Sequence, residues 1–279
     1  MKRTARGIVI LLAVLAVAAA PSNGPIALDW HQGGHLYVLL KNGSVSVLDE
    51  ITKRKLATIP SRFGVVPVEI FSARLKEGEY VFVSGFWGRS GTVWQYTGAG
   101  QPHARFETPE QGASFDVDPK QRVLYIASPV TNVVYAINLD QKGSSSKRVA
   151  YIREAAAVGP VIFDQGRNRL ILGDTGRGVL YDIDVTSGKY QQIASDLGRP
   201  ISLGIDTAVK TLFLADSLTG SIHVFRLENG TFKRADTIAT GLRTLSAVTL
   251  GPNDTIFVAD GYSLYQLSLK TKKLSRIKY

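Results

Sequence analysis

LFLADSLTGSIHVFRLENG, residues 212 to 230, is the stretch of sequence that decides the fold. It runs from a short apolar segment through an aspartate and a turn ending at Gly220 into a segment where apolar and polar residues alternate. This order is typical of two antiparallel strands joined by a tight turn. The first segment is apolar along its whole length, so we expect both of its faces to be buried.

The same pattern recurs along the chain. Its six copies begin at Leu36, Tyr80, Leu124, Leu170, Leu212 and Ile256, with spacings of 44, 44, 46, 42 and 44 residues. A period held through six copies indicates a repeat protein. A helical solenoid of similar period is disfavoured, because the units lack a 3.6-residue apolar period and are rich in Val, Ile, Tyr and Thr.

Each unit contains four strand-like segments, which the third unit shows clearly. They are ASFDVD (113–118), VLYIAS (123–128), NVVYAINL (132–139) and KRVAYI (147–152). Four short antiparallel strands in about 44 residues form the blade of a β-propeller. The sequence therefore predicts an all-β fold, a six-bladed β-propeller with four antiparallel strands per blade. We place the blades approximately at residues 25–60, 66–107, 113–153, 159–194, 200–239 and 245–279.

The ends of the repeat region predict how the ring closes. The first unit begins on its own first strand, PIALDW (25–30), and the last unit ends on its own fourth strand, KLSRIKY (273–279). We therefore expect no exchange of strands between the first and last blades. The seam between them would then depend on side-chain packing alone.

Two of the repeat segments carry a family resemblance. LFLADSLTGSIHVFRLENG and IFVADGYSLYQLSLKTKK (256–273) resemble NHL repeats and are similar to the blades of gluconolactonase and the regucalcin-like lactonases. The resemblance spans all six units and implies the same propeller. It also implies a metal-dependent lactonase as an alternative function, with calcium or zinc at the mouth of the central channel. Glu69 is the candidate ligand, but the Asn-Gly pair that supplies an amide ligand in that family is absent from units three to six.

The first 20 residues are typical of a signal peptide. A basic start is followed by an unbroken apolar run from Ile8 to Ala20, which is short for a membrane span. Cleavage after Ala18 is favoured over cleavage after Ala20, because Pro21 would hinder the second cut; an uncleaved anchor is the alternative. We expect an exported protein, periplasmic or secreted, with no membrane span in the mature chain.

Composition narrows the classes of function. The chain contains no cysteine, which excludes disulfides, thiolate metal sites and cysteine nucleophiles. Its formal net charge of +10 favours acidic surfaces or anionic ligands. Nucleic acid is a poor candidate partner, because the basic residues are dispersed and export separates the protein from it.

Two groups of polar residues invite a catalytic or metal-binding interpretation. Asp174, Asp216 and Asp260 each end a second strand, and we expect them to accept hydrogen bonds from the following turn, since Asp favours such turns. His31 and His35 lie in a glycine-containing turn that we interpret as surface, with a transition-metal site as the alternative. The chain has no G-x-S-x-G nucleophile motif, and we name no catalytic residue.

The most informative pattern is the distribution of arginines. One face of a propeller carries both the loops between blades and the loops between second and third strands. Those loops contain Arg62, Arg89, Arg153, Arg177, Arg199 and Arg243. Arginine is suited to bidentate capture of carboxylates and phosphates, and Trp87 beside Arg89 adds an aromatic residue of the kind found in binding hot spots. Glu110, Glu154 and Asp196 lie in the same loops, where we expect them to neutralise some arginines.

These observations favour a binding module over an enzyme. We expect a protein, most simply a monomer, that binds an anionic ligand at one face near the central channel. The ligand would be an acidic protein segment, an anionic glycan or a small carboxylate, with no cofactor. The alternatives are the metal-dependent lactonase and a structural module of an envelope complex.

Overall fold

The regular structure of the residues that the structure describes consists entirely of β-strands. The computed structural model describes residues 23–31, 34–60, 66–87, 90–112, 114–141 and 145–278, without the side chains of His31 and Trp87. These residues form six four-stranded antiparallel sheets, each built from four consecutive strands. The predicted six-bladed β-propeller is confirmed. The predicted signal peptide, residues 1–20, lies outside the described residues.

The strands follow in chain order, and the first strand of each blade is the innermost. Blade 1 contains β1 (Pro25–His31), β2 (His35–Leu40), β3 (Val45–Asp49) and β4 (Lys55–Ile59). Blade 2 contains β5 (Val66–Leu75), β6 (Gly78–Trp87), β7 (Ser90–Thr97) and β8 (Pro102–Thr108). Blade 3 contains β9 (Ser114–Asp118), β10 (Val123–Ser128), β11 (Val133–Asn138) and β12 (Ser146–Tyr151). Blade 4 contains β13 (Val158–Asp164), β14 (Arg169–Asp174), β15 (Val179–Asp184) and β16 (Tyr190–Ala194). Blade 5 contains β17 (Pro200–Asp206), β18 (Thr211–Asp216), β19 (Ser221–Glu228) and β20 (Thr231–Ala239). Blade 6 contains β21 (Ala247–Leu250), β22 (Thr255–Ala259), β23 (Leu264–Ser268) and β24 (Leu274–Ile277).

The apolar second strands explain why the blades stack. Each second strand has side chains on both faces, and each face packs into a different core. In β2, Tyr37 and Leu39 belong to the core between blades 1 and 2, whereas Leu36 and Val38 belong to the core between blades 6 and 1. Six such cores lie between neighbouring blades. Burying one large aliphatic side chain contributes about 1.5–3 kcal/mol, so each blade depends on its two neighbours.

The seam between blades 1 and 6 is closed as the sequence predicts, without exchange of strands. It is not held by side-chain packing alone, however. The Trp30 backbone N–H donates a hydrogen bond to Thr249 Oγ1 at 3.2 Å, and Ser246 Oγ donates to the Pro25 carbonyl at 3.1 Å. At Gly24 the backbones meet so closely that an added Cβ would lie 1.7 Å from the Gly261 carbonyl oxygen.

Antiparallel pairing gives the disc two distinct faces. We call the face at which the innermost strands begin the entry face. It carries the junction loops between blades and the tip loops between second and third strands. The opposite face, at which the innermost strands end, is the exit face. The part of the chain that the structure describes contains no helix with the length and hydropathy needed to cross a membrane.

Candidate functional site

A cavity of about 340 Å³ occupies the centre of the propeller and is lined by the innermost strands of all six blades. Its lining includes Trp30, Arg74, Ile205 and Leu250, which lie at or near the carboxyl-terminal ends of those strands. The lining also includes Ser114, the first residue of β9, so the cavity extends along most of the channel. The predicted arginines belong to the junction and tip loops, at the end of the channel where the innermost strands begin.

Three carboxyl groups line the cavity, one from each of blades 1 to 3. They are Asp29, Glu69 and Asp116. Sequence reasoning identified Glu69 but not the two aspartates. The sequence does contain a feature that locates these two aspartates. Asp29 pairs with Tyr37 and Asp116 pairs with Tyr125 across neighbouring strands. Both tyrosines are the second residue of a Leu-Tyr pair that begins a copy of the repeat. Aligning the innermost strands on these pairs would have placed both aspartates at one level of the channel.

The two aspartates bind backbone groups of the neighbouring blade. Asp29 Oδ2 accepts hydrogen bonds from the Ser72 hydroxyl and from the Ser72 backbone N–H, the latter at 2.8 Å. Asp116 Oδ2 accepts the Phe163 N–H at 2.6 Å. Burial nevertheless raises the pKa of Asp29 to about 6 and the pKa of Asp116 to about 8.

Glu69 lies between these aspartates and is bound less tightly. Its Oε2 accepts a hydrogen bond from Ser114 Oγ at 3.3 Å, and its Oε1 accepts one from the Ile70 N–H at 3.4 Å. Burial, with a smaller contribution from the negative charges of Asp29 and Asp116, raises the pKa of Glu69 to about 8. Glu69 is therefore largely protonated at neutral pH.

The opposite side of the cavity, from blades 4 to 6, carries no carboxylate among its lining residues. Its polar residues also serve the contacts between blades: the Val248 N–H donates to Ser202 Oγ at 3.1 Å, and Thr249 accepts the seam hydrogen bond from Trp30. Most of the polar groups around the channel thus stabilise the ring itself.

The donor arrangement does not form a metal site in the described part of the chain. No group of three His, Cys, Asp or Glu residues there is placed to hold one ion. Glu69 and the two aspartates are therefore near enough to interact electrostatically but are not gathered around a common point. His31 and His35 face each other as the last pair of β1 and β2, and the side chain of His31 lies outside the described residues.

The three aspartates that end second strands organise loops, as predicted. Asp174 Oδ1 accepts the Gly176 and Arg177 N–H groups, and Asp260 Oδ1 accepts those of Tyr262 and Ser263. Two of the three also reach the preceding junction loop, since Asp174 accepts the Ala156 and Ala157 N–H groups and Asp216 accepts that of Arg199. These carboxylates therefore fix the two kinds of entry-face loop relative to each other.

Four of the predicted arginines lie exposed on the entry face. Arg153, Arg199 and Arg243 are in the junction loops before blades 4, 5 and 6, and Arg177 is in the tip loop of blade 4. Arg62 and Arg89 lie outside the described residues. Trp87 is the last residue of β6, opposite Ser90, and its side chain also lies outside the described part.

These four arginines form no ion pair with an acidic side chain in the part of the chain that the structure describes, although Arg177 Nη1 donates a hydrogen bond to the Glu154 carbonyl at 2.7 Å. Three arginines at the exit face are paired: Arg122 with Glu77 and Asp140, Arg167 with Asp164 and Asp182, and Arg169 with Asp182 and Asp184. Arg54 and Arg226, also toward the exit face, are exposed and form no ion pair with the described residues. Guanidinium groups on the entry face remain able to bind an anion.

Within the described residues the acidic residues of the entry face form no ion pair with these arginines, although Glu154 interacts electrostatically with Arg153 and Arg177. The carboxylate of Glu154 accepts the Tyr190 hydroxyl at 2.7 Å, which lowers its pKa, with a smaller contribution from the charges of Arg153 and Arg177. Glu110 accepts the Ser128 and Thr131 hydroxyls, and Asp196 accepts the Ser195 hydroxyl. Each carboxylate is thus bound to a hydroxyl group rather than to a guanidinium.

Three exposed apolar side chains complete the entry face, and sequence reasoning missed them. Val130, Leu218 and Tyr262 lie in the tip loops of blades 3, 5 and 6 and are 54%, 69% and 52% exposed. Each lies two residues after the small or acidic residue that ends the apolar segment of the repeat. These residues are Ser128, Asp216 and Asp260, respectively. A comparison of the six tip loops, position by position, would have revealed them.

Comparisons with known proteins bear on the fold. No protein-family model matches the chain, and no curated protein matches it. Among solved structures, a chain in the crystal structure of a nidogen/laminin complex is similar, with a TM-score of 0.63 and 18% identity, over 78% of this chain and 80% of that one. At this identity the likeness shows a shared propeller fold alone. The resemblance to NHL repeats and the gluconolactonase family remains a prediction.

Proposed function

We propose that the chain is an exported β-propeller that acts as a binding module and holds an anionic partner at its entry face. The observation that carries the proposal is the grouping of arginines and apolar side chains at the entry face. Exposed arginines without acidic partners in the described residues share that face with exposed apolar tips, whereas Arg122, Arg167 and Arg169 at the exit face are engaged in ion pairs. Arginine and aromatic residues together are characteristic of protein-binding hot spots.

The rigidity of the entry face supports the same function. Asp174 and Asp216 tie junction loops to tip loops through hydrogen bonds of 2.8–3.2 Å. Loops held in this way lose little conformational entropy when a partner binds. The similar chain in the nidogen/laminin structure belongs to a complex of proteins, which is consistent with protein binding by this fold.

The test compares two variants that lose the same charge on opposite faces. One carries Arg177→Gln, Arg199→Gln and Arg243→Gln; its control carries Lys120→Gln, Lys210→Gln and Lys270→Gln, three exposed residues of exit-face turns. The probe is a glutamate-rich peptide, measured by calorimetry at about 0.15 M salt.

We expect the arginine variant to bind at least about tenfold more weakly than the wild type. The lysine variant should stay within about twofold of the wild type. Equal losses in both variants would mean that the peptide responds only to net charge, and that the entry face is not a binding site.

A further inference from the structure

The order of side chains around the entry face indicates the shape of the partner. Because consecutive blades are neighbours in the ring, chain order is also order around the face. From blade 3 to blade 6 the exposed arginines and apolar tip residues follow as Val130, Arg153, Arg177, Arg199, Leu218, Arg243 and Tyr262, and the exposed acidic residues Glu154 and Asp196 lie among them. Cationic and apolar side chains therefore share one arc, and we call these seven arginines and apolar residues the entry arc.

The apolar members of the entry arc occupy equivalent backbone positions. The N–H of Leu218 donates to Asp216 at 2.9 Å, and the N–H of Tyr262 donates to Asp260 at 2.9 Å. In blade 4 the same position is Gly176, whose N–H donates to Asp174 at 3.0 Å, and Arg177 follows it. The same hydrogen bond to an aspartate thus precedes an apolar side chain in blades 5 and 6, although the turn of blade 6 is two residues shorter than that of blade 5.

Size argues against a small carboxylate as the partner. Arg153, Arg199 and Arg243 belong to three successive junctions, which in a six-bladed ring are rotated by roughly 60° from one to the next. A small anion would bind at one junction and leave the remaining guanidinium groups unfilled. A ligand that uses the whole arc must be extended.

The apolar tips argue against a glycan. A sulfated or uronic-acid chain is extended and anionic, and its ring faces can stack on Tyr262, but it has no aliphatic side chains to pack against Val130 and Leu218. Exposed apolar residues among polar ones mark protein contacts, and an aromatic residue near arginines is a typical anchor. A polypeptide supplies both kinds of contact.

We infer that the entry arc binds an extended protein segment in which acidic and apolar residues alternate, laid across blades 3 to 6. The inference rests on the proposed function, since it specifies the partner of the same face. Acidic residues of the segment pair with the arginines, and its apolar residues pack on the tips of blades 5 and 6. The alternation gives the face a specificity that net charge alone does not provide.

The experiment uses the full-length protein and five probes. Two are twelve-residue peptides of identical composition, one with glutamate and leucine alternating and one with them in separate blocks. The others are hexaglutamate, a heparin-derived hexasaccharide and citrate. The variant is Leu218→Ser with Tyr262→Ser, and its control is Ile51→Ser with Val209→Ser, which removes two exposed apolar residues, 80% and 65% exposed, from exit-face turns.

We expect the alternating peptide to bind about tenfold or more tightly than the block peptide and hexaglutamate. The Leu218→Ser, Tyr262→Ser variant should remove that advantage and leave the affinity for hexaglutamate unchanged. The Ile51→Ser, Val209→Ser control should match the wild type with every probe. Circular dichroism of both variants verifies that they are folded.

Other outcomes separate the inference from the proposed function. Equal affinity for both peptides, tighter binding of the hexasaccharide or citrate, or no effect of the tip substitutions would overturn the inference while anion binding by the arginines stood. Failure of every probe to bind, or no effect of the arginine substitutions on any of them, would overturn the proposed function as well.

Discussion

The carboxylate of Asp216 accepts a hydrogen bond from the backbone N–H of Arg199 at 2.8 Å, and so joins the tip loop of blade 5 to the junction loop before it. Gly198 permits this approach: its φ is +62°, and an added Cβ would lie 2.4 Å from the carboxylate. Burial would raise the pKa of Asp216, but hydrogen bonds from Arg199, Thr219 and Leu218 outweigh burial and lower it. The carboxylate therefore stays ionised and holds both loops.

Replacement of Asp216 by alanine should loosen both loops at once. We expect Asp216→Ala to lower the free energy of unfolding by about 2–4 kcal/mol, because several buried donors lose their acceptor. Amide hydrogen exchange should rise in residues 195–199 and 217–220. The matched control is Asp206→Ala, whose carboxylate accepts the N–H groups of Ala208 and Val209 in an exit-face turn of the same blade. An exchange pattern confined to 217–220 would contradict the link between the loops.

The channel carboxyl groups should make stability depend on pH. The pKa of Glu69 is raised to about 8 in the folded protein, against about 4.3 when unfolded. Between those values the folded state holds more protons than the unfolded state, so the free energy of unfolding falls as pH rises from about 4 to about 8. We expect Glu69→Gln to be close to the wild type at pH 5 and more stable by a margin on the order of a few kcal/mol at pH 9.

Chemical denaturation at a series of pH values measures this dependence. The control is Glu228→Gln, which changes an exposed carboxyl group near the end of β19 and should run parallel to the wild type. If the difference between Glu69→Gln and the wild type is the same at pH 5 and pH 9, the carboxyl group is not proton-bearing in the folded state.

The seam should be sensitive to a single methyl group. A Cβ at position 24 would collide with the backbone of Gly261, which has no flexible side chain to yield. We expect Gly24→Ala to destabilise the protein by about 2 kcal/mol or more through overpacking. Gly204→Ala is the control, because its Cβ would make only an ordinary 3.5 Å contact with Thr249. Thermal melts that rank Gly204→Ala as the more harmful substitution would show that blades 1 and 6 are not packed as described.

Metal content separates the binding module from the lactonase alternative. In the described residues no three donors are placed around one ion, so we expect less than one equivalent of calcium or zinc by elemental mass spectrometry. We also expect the same melting temperature before and after chelation. A stoichiometric metal and a lower melting temperature after chelation would favour the lactonase alternative. Glu69→Ala should then abolish this effect of chelation, and lactone substrates should be tested.

The repeat made the fold predictable, whereas the site was only partly so. A 42-to-46-residue period and apolar second strands are local features, and they determine the blade and its stacking directly. The positions of arginines relative to the faces also follow from strand order, which is why Arg153, Arg177, Arg199 and Arg243 were placed together. Their lack of ion pairs was not predictable, because it depends on which neighbours Glu110, Glu154 and Asp196 bind instead.

The channel illustrates what a single strand does not reveal. In sequence, Asp29 and Asp116 cannot be told apart from turn-forming aspartates such as Asp118. Asp118 lies two residues after Asp116 at the end of β9 and follows the same alternating pattern. Only the pairing register of each innermost strand against its second strand shows which carboxyl group lies at which level of the channel. Register is a property of two strands together, and the sequence interpretation considered each innermost strand alone.

The way the ring closes has a mechanical consequence. Five of the six interfaces between neighbouring blades are bridged by a junction loop, whereas blades 1 and 6 meet through strands that are not consecutive in the chain. Separating any other pair of blades stretches a covalent link. In the described residues this pair is joined by the hydrogen bonds of Trp30 and Ser246, by Lys41 and Lys53 over the rings of Tyr262 and Phe257, and by the core between the blades. We therefore expect heat or force to open the ring at this interface first, which would give the central cavity an entrance from the side.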